Sequence, residues 1–418
     1  MDSLSFAIVA LIVLGFGLVS RRLQRSVVTM PMVFVAFGLL VGDHSLGLVH
    51  FAVDGHLIHT LAELTLVLVL FTDASRIDLN LLRRQHDLPI RMLAIGLPLT
   101  VLCGALVAVA LFANMSFSSA VVLAIILAPT DAALGQAVVG SPLVPVRIRQ
   151  ALNVESGLND GLVLPLLLIA LSVASATSKV VDPAYWIQYT AMQLVLGPLV
   201  GIGVGYLGGL LVATASRNEW MDHAFQDLAA LGLSVLSFSL AHLVGGNGFI
   251  AAFCAGLTLG NLSRPICASL YEFVEAEGQL LTLIVFMVFG AVLVPESVAF
   301  FDGTSLLYAA LSLTVVRGLP VALSLVGARL HLSTVLFLGW FGPRGLASVL
   351  FALLVLEDSL LSDREAIMGV VMMTVLLSVF AHGLTAFPGV HWYSKRMERG
   401  EKIEHREVGE MPVRFPLK

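Results

Sequence analysis

Between Gln150 and Pro165 the chain places Glu155, Ser156, Asn159 and Asp160 inside a run apolar enough to cross a bilayer. Charge at that depth is costly, and ionisable groups within spans are functional by default. Glu155 and Asn159 are four residues apart, as are Ser156 and Asp160, so on a helix each pair stacks along one face. The Ser156–Asp160 row offers oxygens, the donor set that a hard monovalent cation or a proton requires. The Glu155–Asn159 row can hydrogen-bond or pair with a partner. A capped helix start or purely structural hydrogen bonds would be the alternative use of the same residues.

Other in-span polar residues extend the list. Asp131 follows Pro129 and Thr130, where the proline ring removes an amide and leaves carbonyls near Thr130 free to ligate a cation. The competing reading makes Asp131 a cap on the positive end of the next half-helix. Arg344, within Gly342-Pro343-Arg344-Gly345, does not deprotonate and must be paired if buried. Glu155 is its expected mate and Asp131 the competing acceptor, which leaves Asp160 without a fixed countercharge. Glu63 is the acid deep in the first three spans, a further ligand or a structural glutamate facing the core. Arg317 either snorkels or pairs. His242 and His382 read as hydrogen-bonded packing residues, and Glu272, Glu275 and Glu277 as a solvated helix start or a cation-attracting funnel.

These residues need membrane helices to hold them. The chain of 418 residues is 58% hydrophobic and only 12% charged, with mean hydropathy +0.95, far outside the soluble range. Spans are expected near 3–20, 28–43, 58–74, 90–112, 119–138, 149–172, 186–214, 224–244, 247–262, 273–294, 304–327, 333–356 and 366–387, thirteen in all. Met1 to Ser20 lacks a basic leader and a cleavage site and reads as a retained first span. Cys103, Cys254 and Cys267 lie in or beside apolar runs and make no disulfide or zinc framework. The net charge of −5 identifies no partner.

Arginines cluster after the first, third and fifth spans (Arg21, Arg22, Arg25; Arg76, Arg83, Arg84, Arg91; Arg147, Arg149), and basic residues recur in the tail. These segments are expected to face the cytoplasm, with the N-terminus outside and the C-terminus inside. Gly38-Leu-Leu-Val-Gly42 returns as Gly256-Leu-Thr-Leu-Gly260, Gly96-Leu-Pro98 as Gly318-Leu-Pro320, and Pro129 as Pro343, all separated by nearly the same length of chain. Each pair lies an odd number of spans apart, so two six-helix halves run in opposite directions, each with a helix broken at proline. The expected fold is therefore an all-α membrane protein of about 13 transmembrane helices, with inverted six-helix repeats and two broken crossing helices.

At these residues the sequence resembles the monovalent cation:proton antiporter-1 family, the bacterial NhaP-type sodium/proton antiporters and their eukaryotic sodium/hydrogen exchanger relatives. The marks are Pro129-Thr130-Asp131, Glu155-Ser156-Gly157-Leu158-Asn159-Asp160-Gly161 and Gly342-Pro343-Arg344-Gly345. Supporting marks are Glu63 with Leu70-Phe71-Thr72-Asp73, and Gly245-Gly246-Asn247-Gly248-Phe249. The resemblance implies an NhaA-like antiporter fold and a homodimer in the inner (plasma) membrane. Residues 1–390 would form the antiporter unit, with a core over about 90–172 and 304–387, dimerisation spans over about 1–74 and 186–294, and a short cytoplasmic tail at 391–418. It implies a cation and proton site at Asp160, with Asp131, Ser156, the Thr130 carbonyl and possible ligand Glu63, supported by Glu155, Asn159 and Arg344. The Asn159–Asp160 pair resembles the electroneutral class, since electrogenic relatives carry a second aspartate at the first position. Ala132 departs from the many relatives that have proline after the aspartate.

The physical reading agrees with that implication. Desolvation penalises an empty, charged Asp160, so the site holds either a proton or a cation, and exclusive occupancy makes an exchanger. Na+ or Li+ exchanged for H+ is the expected activity. A K+/H+ antiporter is the nearest alternative, followed by a cation channel or a transport-dead sensor. Neither enzymatic chemistry nor a cofactor is expected, and the partners are the transported ions, the lipid bilayer and a second copy of the chain, without nucleic acid.

Overall fold

The computed structural model describes residues 3–23, 26–49, 55–75, 77, 79, 87–175, 183–262, 278–357, 361 and 363–398, and every regular element among them is helical. Helix α1 (Ser3–Leu23), α2 (Met30–Val41) and α3 (Gly55–Ser75) lead into α4 (Asp87–Leu111), which widens into a π turn over Met92–Gly96 just ahead of Pro98. Next come α5 (Phe117–Ile126), α6 (Ala132–Val139), α7 (Val146–Ser175), α8 (Pro183–Arg217), α9 (His223–Leu243) and α10 (Gly248–Leu262). A second π turn, Phe289–Leu293, interrupts α11 (Gly278–Phe300), and α12 (Gly303–Ser324) breaks at Thr314. The chain continues through α13 (Leu332–Trp340), α14 (Leu346–Glu357) and α15 (Arg364–Glu398). Among the described residues, six stretches are long and apolar enough to cross a membrane.

Both expected broken spans are split. The 119–138 span becomes α5 and α6 around an extended connector ending at Asp131, and the 333–356 span becomes α13 and α14 around residues 341–345. Pro129 and Pro343 sit in the two connectors, where each withholds the amide that would have continued the first half-helix. The last span differs from expectation: instead of stopping near 387, α15 continues to Glu398. Tyr393 and Met397 are buried, and Tyr393 stacks on Phe337 of α13 with ring centroids 4.3 Å apart. Residues 391–398, expected in the tail, are therefore helix. Arg25, Arg76, Arg83, Arg84, Lys179, Arg264, Cys267, Glu272, Glu275, Glu277 and the chain beyond Glu398 lie outside the described residues.

Close backbone approach at glycine sets much of the packing. A Cβ at Gly38 or Gly42 of α2 would overlap the backbone of Met287 or Ala291 on α11, and one at Gly256 or Gly260 of α10 would overlap the Phe71 or Ser75 carbonyl on α3. Small residues allow such seams between membrane helices. The larger apolar cluster joins Phe34, Phe286, Phe289, Phe351 and Met372, while Leu211 and Leu207 of α8 and Leu18 of α1 point outward, as lipid-facing surfaces require.

Candidate functional site

The two connectors cross. The Asp131 amide donates to the Pro343 carbonyl at 2.8 Å, joining them directly. The Asp131 carboxylate then serves two helix starts at once, Oδ1 accepting from the Leu134 amide of α6 at 3.0 Å and Oδ2 from the Leu346 amide of α14 at 2.6 Å. Amides at both positive helix ends thus converge on one negative charge. Gly345 makes this possible, because a Cβ there would overlap the Asp131 carboxylate.

Opposite charge stands at the other half-helix ends. Arg344 is completely buried, and its Nη1 donates to the carbonyls of Ala128 at 2.7 Å and Pro129 at 2.9 Å, just past the C-terminus of α5. Arg317 of α12 sends Nη2 to the Leu338 carbonyl near the end of α13 at 3.3 Å. Cations at these ends complement the macrodipoles.

Helix α7 passes beside the crossing with Glu155, Ser156, Asn159 and Asp160 all buried. The Ser156 and Thr130 hydroxyls meet at 2.9 Å, and Asn159 Nδ2 donates to the same Thr130 oxygen at 2.8 Å. Thr130 therefore ties together one residue from each of the two helical rows. Asp160 Oδ1 and Asn159 Oδ1 are buried and accept no hydrogen bond from the described residues. An unmatched acceptor of this kind costs free energy unless something electropositive meets it.

One expected pair is corrected. Glu155 does not take Arg344 but Arg317, in a two-pronged bridge with Nη1–Oε1 and Nη2–Oε2 both at 2.9 Å. The cause lies at Gly342, where a Cβ would overlap the Arg317 guanidinium: the missing side chain opens the passage to Glu155. Arg344, anchored on its own connector, has carbonyls in closer reach. Arg317 already stood in the sequence as an in-span guanidinium without an assigned mate, and counting two buried arginines against one free glutamate would have raised the question.

Glu63 is half-buried on α3, and no hydrogen bond or ion pair described for it reaches Asp131 or Asp160. Asp73, ten residues further along α3, stood in the sequence only as a supporting mark of the resemblance, with no site role; α3 packs against α7, the helix of Asp160. The signal at Asp73 was an acid closing the apolar run Leu66–Phe71.

Residues 7–392 match the family described as "Sodium/hydrogen exchanger, transmembrane". The chain belongs to this family. It is a family of Na+/H+ or K+/H+ antiporters, membrane transporters rather than enzymes. Among family relatives, the K(+)/H(+) antiporter NhaP of Alkalimonas amylolytica is 24% identical over 90% of this chain and 64% of its own length. The chain thus spans less than two thirds of that relative. A Na(+)/H(+) antiporter of Schizosaccharomyces pombe is 26% identical over 85% of this chain and 83% of its own. The solved structure of the sodium proton antiporter MjNhaP1 from Methanocaldococcus jannaschii superposes with TM-score 0.72 at 20% identity, covering 93% of this chain and 98% of that one. That likeness places this exchanger-family chain in the same helical fold.

Proposed function

We propose that this chain exchanges one Na+ or Li+ for one proton at Asp160, in electroneutral antiport. The observation that carries the reading is the buried Asp160 carboxylate with an unmatched oxygen, beside a helix crossing where Asp131, Glu155 and Arg344 each have partners. Asp131 has an amide on each oxygen, Glu155 faces Arg317, and Arg344 faces two carbonyls. Protonating Asp131 would sacrifice a cap, whereas protonating Asp160 or placing a cation on it removes a desolvated charge. Both loaded states then carry the same charge, so membrane voltage does little to turnover.

The ligand set is proposed as Asp160, Asp131, Ser156 and the Thr130 carbonyl, with Glu63 or Asp73 of α3 contributing from the side. Glu155, Asn159 and Arg344 form the support, joined by Arg317. Alternating access is proposed as an elevator movement of a core (about 90–172 and 304–387) against dimerisation spans (about 1–74 and 186–294) in a homodimer of the inner membrane, N-terminus outside and C-terminus cytoplasmic. The thirteen-span inverted repeat is supported by symmetry of contact. The seam of α2 with α11 and that of α10 with α3 exchange places under such a repeat, as do the two crossing connectors.

A K+/H+ exchanger is the second reading, favoured by the Alkalimonas relative, which is named a K(+)/H(+) antiporter. Proteoliposomes with an imposed pH gradient, given Na+, Li+ or K+ in turn, separate them. Collapse of the gradient by Na+ and Li+ supports the first reading, collapse by K+ the second, and no response to any cation contradicts both.

A further inference from the structure

The α13–α14 connector is fastened at both ends to a single face of α15. Ser378 and His382 are four apart and share that face. At the far end, the Arg344 amide donates to Ser378 Oγ at 2.7 Å. At the near end, His382 Nε2 lies 2.9 Å from the Trp340 carbonyl and Nδ1 lies 3.0 Å from the Ser378 carbonyl; in the Nε2–H tautomer the ring donates to Trp340. In that tautomer Nδ1 can accept from the Ser378 hydroxyl, 3.2 Å away, which itself accepts from the Arg344 amide. The imidazole is buried, with the Trp340 ring stacked on it at 5.0 Å and the Trp340 indole amine bonded to Thr385 one turn-step further along α15.

The same connector holds the Pro343 carbonyl on the Asp131 amide and the Arg344 guanidinium on Ala128 and Pro129. Its path therefore fixes where Asp131 and Thr130 stand. The last carbonyls of α13 have no intrahelical donor; the Trp340 carbonyl accepts from the Gly342 amide of the connector at 2.8 Å, and His382 Nε2 brings a second group to the same oxygen from α15. Arg344 caps the end of α5 by charge; at the end of α13 His382 joins Gly342 on the Trp340 carbonyl, and the other side of its ring meets Ser378, which holds the far end of the connector.

We propose that His382, acting through Ser378, is a positioning residue for the cation site: it sets the span and curvature of the 341–345 connector and thereby the alignment of Asp131 and Thr130. This rests on the exchange activity proposed above. A packing histidine would tolerate any side chain of similar volume, whereas a positioning one is defined by its Nε2–H.

The test is cation-dependent exchange in proteoliposomes carrying the full chain as wild type, His382→Gln, His382→Asn and His382→Leu, with cation KM and turnover read separately. Gln can place an N–H where Nε2 stands; Asn reaches only the Nδ1 position. Leu and Asn are expected to raise KM by about tenfold, the scale set by a displacement approaching 1 Å, and Gln to restore it to within about twofold. Ser378→Ala is expected to move KM in the same direction. Wild-type KM in the Leu variant, or equal KM in Gln and Asn, overturns the inference; the second comparison decides it even where the Leu variant fails to fold. If wild type exchanges and Asp160→Asn does not, such a result condemns His382 alone, whereas a wild type that exchanges no monovalent cation overturns the proposed function and this inference together.

Discussion

Asp160 and Asp131 are both buried aspartates near one crossing, yet their surroundings differ. Asp131 has an amide on each oxygen, while Asp160 keeps an oxygen unmatched. Asp160→Asn is expected to abolish exchange in proteoliposomes while the purified protein keeps its wild-type melting temperature; a persistent pH-gradient collapse would refute the role. Asp131→Asn retains one acceptor oxygen and loses a cap, so a stability loss of about 1 kcal/mol is expected in thermal unfolding. Arg317→Ala strands the Glu155 carboxylate in the interior, and about 3–5 kcal/mol should be lost by the same measurement. Replacing both partners by apolar side chains should recover much of that loss, since no buried charge is left unpaired. The chemistry of these residues was legible in the sequence because spacing by four fixes a helix face. The partner of Glu155 was not, because it depends on the space that Gly342 leaves for an arginine twenty-five positions earlier in the chain.

Helix ends, more than helix lengths, organise this fold at the element scale. Proline positions announced both broken helices, whereas the recurring glycine pairs read only as a repeat and the structure makes them the seams of α2 and α10. What the sequence left open was the far end of α15, where burial of Tyr393 and Met397 against α13 extends a helix that hydropathy alone would stop near 387. Likewise Asp73 went unread as a neighbour of Asp160, since only packing of α3 beside α7 brings them near. Gly256→Ala would drive a methyl into the Phe71 carbonyl, and a loss of about 1–3 kcal/mol is expected in thermal unfolding, with Gly232→Ala, which faces open space within α9, as a control expected to lose nothing and to gain up to about 1 kcal/mol. The start of α12 gives a pH handle. The Ser305 amide and hydroxyl hold the Asp302 carboxyl below its ordinary value. Because the folded value is the lower one, this cap stabilises fully above the ordinary carboxyl range and is lost as pH falls through the depressed value. Wild type and Asp302→Ala should therefore differ in melting temperature at neutral pH and converge in strong acid.

For the whole molecule, the central consequence is charge balance. Glu155 is opposed to Arg317, Asp131 is held by two amides and Arg344 by two carbonyls, and on the proposed reading a single proton or cation on Asp160 neutralises the charge that is exchanged. Under the proposed one-for-one exchange both loaded states carry equal charge, so valinomycin-clamped voltage is expected to leave the exchange rate unchanged. The most direct test counts protons. Calorimetric titration of Na+ or Li+ into the purified protein, repeated in buffers of different ionisation enthalpy, reports how many protons leave as each cation binds. One proton released per cation, with no binding in Asp160→Asn, is the expected result; release of none or of two, or wild-type binding in that variant, would contradict exchange at a single carboxylate.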